Sequence, residues 1–149
     1  MSDKHFVDTN ILLYARDRFA GPKYERAHAL LERLWIDRSG ILSTQVLQEF
    51  CVNVRRKSES PLSIEETRAI VADYSRWTVV VNTAASVLEA LDLEKRYKVS
   101  FWDALIIQAA QAAGATILYS EDLSDGQTYG SVRVVNPLRE GPAEAGPHV

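Results

Sequence analysis

His5-Phe6-Val7-Asp8-Thr9-Asn10-Ile11-Leu12-Leu13-Tyr14-Ala15 begins as a short apolar run, stops on an acid and turns at once into the start of a helix. A carboxylate flanked by Val7 and Ile11, at the end of the most apolar N-terminal strand, loses hydration unless a cation or a hydrogen-bond donor compensates it. The stretch therefore reads as strand, acid, helix. In an open parallel sheet that arrangement puts the acid at a strand's carboxyl end, where such sheets bind their ligands.

The same alternation continues along the chain. Ala27, Leu30, Leu31 and Leu34 recur at helical spacing between Lys23 and Trp35, with Gly40 as a stop. Ile41-Leu42-Ser43 reads as a buried strand, and Val46, Leu47, Phe50 and Val54 mark the apolar face of the helix after it. Ser63-Ile64-Glu65-Glu66 fits a capping box and predicts a helix to about Trp77. A strand at 78–81 and a helix over 84–96 follow, and Ser100 is the expected N-cap of a helix closed by Gly114. Strands are expected at 116–119 and 132–135. Short apolar strands alternating with amphipathic helices predict an α/β domain with a mostly parallel central sheet.

Composition narrows the class. With 149 residues, 46% hydrophobic and 25% charged, the chain has the size of one domain and needs neither disulfides nor a structural metal to hold a core. The single cysteine, Cys51, rules out an internal bridge, and no apolar run approaches the roughly 18 residues of a membrane span. The N-terminal MSDKHFVD is unlike a signal peptide, so a cytoplasmic protein is expected. Seventeen basic and 20 acidic residues give a net charge of −3, which argues against a protein that coats nucleic acid through bulk charge. An enzyme that touches few phosphates and carries clustered acids fits that balance. Residues 1–139 are expected to form the domain, and the Gly-, Pro- and Ala-rich 140–149 a disordered tail.

Four acids fall where they can reach the carboxyl edge of the sheet: Asp8, Glu49, Asp103 and Asp122. Singly, three have ordinary explanations. Asp103 suits a helix start, Glu49 a solvated helix face, and Asp122 a turn. Carboxylates converging on one crevice, however, raise one another's pKa unless a counter-charge is present. Magnesium or manganese supplies it, as a hard cation preferring carboxylate and water oxygens, and such a site suits phosphodiester hydrolysis.

Competing motifs are missing. The sequence has no glycine-rich phosphate loop, nucleophile elbow or H-E-x-x-H, and His5, His28 and His148 stand far apart. Asp8-Thr9-Asn10 lacks the second acid of the D-x-D phosphatases. Arg16, Arg18 and Lys23 are candidates for phosphate contact, whereas Arg55-Arg56-Lys57 is better explained by the helix macrodipole. Trp35 and Trp77 read as core or interface residues, and Trp102, next to Asp103, is the tryptophan to test for substrate contact.

The four stretches Phe6–Leu12, Ser43–Phe50, Ser100–Ile106 and Ala115–Leu123, each with its acid and in this order, resemble the PIN-domain ribonucleases, in particular VapC-like toxins of bacterial toxin–antitoxin pairs. The resemblance runs from residue 6 to Pro137. It implies a three-layer α/β/α fold and a Mg2+ or Mn2+ site built from Asp8, Glu49, Asp103 and Asp122. By the same resemblance, Asn10 and Ser120 orient ligands or water. The activity implied is cleavage of single-stranded RNA, with a homodimer and a VapB-like antitoxin as partners. Asp125 is left out as a turn residue. The rival expectations are a non-catalytic PIN-like module that binds RNA or protein, and a nuclease acting on DNA.

Overall fold

The computed structural model describes residues 3–56 and 61–139; the expected tail at 140–149 and Lys57 lie outside them. Strand β1 (His5–Val7) leads through helices α1 (Thr9–Tyr14) and α2 (Pro22–Asp37) to β2 (Gly40–Ser43). Helices α3 (Thr44–Val54) and α4 (Ile64–Tyr74) lead to β3 (Thr78–Val80), and α5 (Ala84–Tyr97) and α6 (Phe101–Ala112) lead to β4 (Ile117–Tyr119). The hairpin of β5 (Thr128–Tyr129) and β6 (Val132–Val135) completes the sheet.

The strand order is β3-β2-β1-β4-β6-β5, parallel throughout except for the antiparallel β5–β6 pair. The chain steps outward from β1 to β3 and then crosses back to β4 on β1's other side. Right-handed crossovers put the two directions of winding on opposite faces, so this reversal produces two helical layers. Helices α1, α2 and α3 pack together, α4 lies on α3, and α5 pairs with α6. The reversal also fixes the crevice, because a switch point opens between β1 and β4.

Burial follows from the sequence. Phe6, Val7, Ile41, Leu42, Leu118, Val132 and Val134 fill the sheet interior, with Ile11, Leu12, Val46 and Phe50 above them. Helix α6 is buried over the whole run from Ala104 to Ala110, as its nearly unbroken apolar sequence requires. Trp35, Tyr74 and Trp77 form an aromatic cluster with ring centroids 5.2–5.5 Å apart, so both expected core tryptophans pack inside or at its margin.

Local signals set most boundaries. Ser63 and Glu66 form the expected capping box, and Ser100 caps α6 through the Asp103 amide. Helix α4 stops at Tyr74 rather than Trp77, because Ser75 and Trp77 enter a turn that feeds β3. A short 3-10 turn (Arg18–Ala20) and the two-residue β5 carry no periodicity that would predict them. Among the described residues no helix is long and apolar enough to cross a membrane.

Candidate active site at the carboxyl edge of the sheet

Register brings the first acid to its partner. His5, Phe6 and Val7 pair with Ile117, Leu118 and Tyr119, so the next residues across the ladder are Asp8 and Ser120. The Asp8 amide donates to the Tyr119 carbonyl at 2.9 Å, carrying the ladder one step past the strand. Asp8 is 5% exposed, and both its oxygens accept hydrogen bonds: Oδ1 from the Thr9 amide and Oδ2 from the Ser120 hydroxyl, each at 2.7 Å.

Ser120 Oγ also accepts from the amides of Asp122 (3.1 Å) and Leu123 (3.3 Å). Its two lone pairs are thus occupied and its proton points at Asp8, which makes Asp8 an acceptor. Burial nevertheless pushes the Asp8 carboxyl up to about 7; the donors Ser120 and Thr9 oppose this, and the charges of Asp122 and Glu49 add to it.

Glu49, half-buried on α3, reaches the same place through Thr9. Thr9 Oγ1 donates to Glu49 Oε1 at 2.6 Å while its amide serves Asp8, so one residue ties two acids together. Gln45, one turn before Glu49, donates to Glu49 Oε2 (3.1 Å) and to the Trp102 carbonyl (3.3 Å), linking α3 to the start of α6. Asp103, also half-buried, sits in the first turn of α6. Its carboxyl is raised by burial first, eased by Ser100, and raised further by the charges of Asp122 and Glu49. Asp122 is exposed on the loop after β4. All four acids thus share one electrostatic field, and the two more enclosed ones are pushed toward neutrality.

Other expected residues fall less directly. Asn10 Oδ1 accepts from the Glu121 amide at 3.3 Å, so Asn10 holds the loop rather than any of the four acids. Among the described residues, Asn10 Nδ2 and Gln45 Oε1 are buried polar atoms without a protein partner. Lys23 is bonded to Glu121 and Tyr14, and Arg55 donates to the Cys51 carbonyl of its own helix, in keeping with the macrodipole explanation. Asp125 accepts from the Asn136 amide and pairs with Arg139, a structural role matching the turn expected there. Trp102 is 62% exposed and stands edge-on to Phe101. Thr9 and Gln45 escape a reading of the sequence, although the i, i+4 spacing of Gln45 and Glu49 is a usable signal.

The donor set consists of hard carboxylate oxygens around one buried acid, Asp8. Among the described residues no three His, Cys, Asp or Glu side chains form a ready-made metal cage. The arrangement fits a cation that takes one or two carboxylates directly and keeps water for the rest of its shell, as magnesium does. Gln45 Oε1, the unpartnered atom of the side chain that bonds Glu49, is suited to accepting a hydrogen bond from such water.

The PIN domain family model matches residues 5–124. No curated protein matches the chain in sequence. A toxin–antitoxin complex from Klebsiella pneumoniae has a similar fold, with a TM-score of 0.66, 21% identity, and coverage of 90% of this chain and 98% of that one. VapC20 of Mycobacterium tuberculosis, a sarcin–ricin-loop-cleaving toxin, aligns with a TM-score of 0.56, 21% identity, and coverage of 80% and 90%. DNA-bound VapBC of Salmonella typhimurium aligns with a TM-score of 0.60, 18% identity, and coverage of 89% and 97%.

Proposed function

The chain belongs to the PIN domain family, and on that premise we propose that it is a metal-dependent endoribonuclease, the toxin of a toxin–antitoxin pair, that hydrolyses phosphodiester bonds of single-stranded RNA. The observation that carries the reading is Asp8, a fully enclosed carboxylate at the β1/β4 switch point, coupled to Glu49 and Asp122 and held as an acceptor by Ser120 and Thr9. A structural acid would gain nothing from this burial, which raises its pKa and costs folding free energy.

Asp8, Asp103 and Asp122 are the residues that would hold Mg2+ or Mn2+, directly or through water, and Glu49 would complete the set or polarise the attacking water. The bound ion supplies charge neutralisation at the carboxylates and at the scissile phosphate. Thr9 fixes Glu49 Oε1, and Gln45 fixes Oε2, so the carboxylate is oriented to accept a proton from the attacking water. In-line attack of that water on phosphorus breaks the P–O3′ bond and leaves a 5′-phosphate, and the departing 3′-oxygen takes a proton from solvent to become the 3′-hydroxyl. Asn10 and Ser120 act as positioning residues, Ser120 through Asp8 and Asn10 through the Glu121 loop.

Two protein partners belong to the same reading: a second copy of the chain and a VapB-like antitoxin. Support comes from the toxin–antitoxin assemblies with the same fold and from α5. Its other side packs on α6, while Val87, Leu88 and Leu91 remain exposed at helical spacing.

The test is cleavage of labelled single-stranded RNA with magnesium, manganese or EDTA, beside Asp8→Asn and Asp103→Asn. Metal-dependent cutting lost in both variants is the expected result. A folded, antitoxin-free protein that neither cuts RNA nor binds manganese by calorimetry would be a binding module instead, and cutting of DNA alone would move the substrate class.

A further inference from the structure

Glu121 stands between Ser120 and Asp122, yet its side chain serves a different feature. It lines a cleft of about 480 Å³ whose described walls include Pro22, Lys23, Arg26, Asn136 and Arg139. Lys23, Arg26 and Arg139 therefore line, beside Glu121, a space large enough for a phosphate and part of its sugar, with Lys23 paired to Glu121 and Arg139 to Asp125. Each cation is anchored: Lys23 Nζ on Glu121 and Tyr14, Arg26 Nη1 on the Leu138 carbonyl (3.3 Å), and Arg139 on Asp125. Lys23 also lies over the Tyr14 ring, 4.9 Å from its centroid. Anchoring of this kind fixes positive charge around a volume instead of letting it swing into solvent, which lowers the ordering cost of taking up an anion.

The amino end of α2 adds to the field. Gly21 caps it without a side-chain hydrogen bond and Pro22 brings no amide proton, although Glu25 in the first turn offsets part of its positive charge. The cleft shares the 120–122 loop with the acids: Asn10 holds the Glu121 amide on one side, and Lys23 holds its carboxylate on the other.

We propose that this cleft is a phosphate subsite, in which Lys23, Arg26 and Arg139 hold a backbone phosphate of the RNA strand next to the scissile one. The assignment rests on the nuclease reading above for its ligand, and it gives the site a direction: a strand gripped here is fixed in register over the acids. Lys23 exchanges part of its bond with Glu121 for the phosphate, while Arg26 and Arg139 stay where Leu138 and Asp125 hold them.

The experiment uses the full chain in two arms. Inorganic phosphate titrated into 15N-labelled protein is expected to shift the amides of Lys23, Tyr24 and Arg139, and to do so far less in the Lys23→Gln, Arg26→Gln double variant. In RNA cleavage the double variant is expected to raise KM about fivefold or more with kcat nearly unchanged. It is also expected to flatten the salt dependence by about 0.7 in log–log slope for each cation neutralised. Lys23→Arg, which keeps the charge, restores KM and guards against a folding defect. RNA cutting with an unchanged KM and salt slope overturns the subsite while leaving the nuclease intact. Phosphate shifts at the cleft in a wild-type protein that cuts no RNA overturn the nuclease reading and with it the RNA assignment. No phosphate shift at these amides overturns the cleft as an anion site.

Discussion

The hydroxyl of Ser120 donates to Asp8 across the β1–β4 pair, and the same oxygen collects the amides of Asp122 and Leu123. One atom therefore eases the charge on one acid and holds the backbone that carries another. Ser120→Ala would strand two amides and remove a donor from a buried carboxylate, at a cost of about 1–3 kcal/mol. Losing a bond to the charged form also raises the Asp8 pKa. The acidic limb of the pH–rate profile is expected to move to higher pH, whereas Ser120→Thr, which keeps the hydroxyl, moves it less.

Asp8 gives stability an unusual dependence on pH. Its carboxyl is raised from 3.8 to about 7, so between those values the folded chain keeps a proton that the unfolded chain has released. Stability contributed by this group is full below about pH 4 and is lost as pH rises through 7. In EDTA, the stability of Asp8→Asn relative to the wild type is expected to rise with pH across that window, while all turnover is lost. Urea unfolding at pH 5, 6, 7 and 8 measures the difference. Added manganese is expected to recover the wild type at pH 8 and leave the variant unchanged.

Thr9 offers a cleaner probe of Glu49. Thr9→Val keeps the shape and the amide bond to Asp8 and deletes only the hydroxyl bond to Glu49 Oε1. Hydrogen bonds to charged groups are worth about 1.5–3 kcal/mol, so kcat is expected to fall about tenfold or more with KM little changed. Thr9→Ser restores the rate. Equal kcat in Thr9→Val and wild type would remove Glu49 positioning from the mechanism.

Gly40 tests the packing beneath the sheet. A Cβ there would lie 2.2–2.7 Å from three ring carbons of Trp77, and that ring is wedged against Trp35 and Tyr74. Gly40→Ala is expected to cost about 1–3 kcal/mol in urea unfolding and to shift the tryptophan emission, with kcat retained at low temperature.

The sequence foretells elements whose cause is local. Ser63 with Glu66, and Ser100 with the Asp103 amide, are satisfied within one turn of chain, so their residue types alone signal the helix start. The β5 strand has no such signature, because two residues become a strand only by pairing with Val132 and Arg133. Phe19, 76% exposed in the 3-10 turn, carries no periodicity to read. At the site, Asp8 is legible from its apolar flanks, but the Thr9 bridge to Glu49 joins residues 40 apart and exists only once α1 and α3 meet. The position of Asn10 against the Glu121 amide, 111 residues away, depends likewise on the strand order rather than on any nearby motif.

That strand order has a consequence for how the protein is made. Asp8 and Ser120 are separated by 112 residues, and the edge they share forms only when β4 docks against β1. A growing chain that has released β1, β2 and β3 still lacks α6 with Asp103 and the loop that carries Ser120, Glu121 and Asp122. Whatever the acids do is withheld until synthesis is nearly finished. The order in which the sheet is laid down acts as a timer, so a ribosome-bound or truncated fragment ending before β4 lacks Asp122 and the Ser120 partner of Asp8.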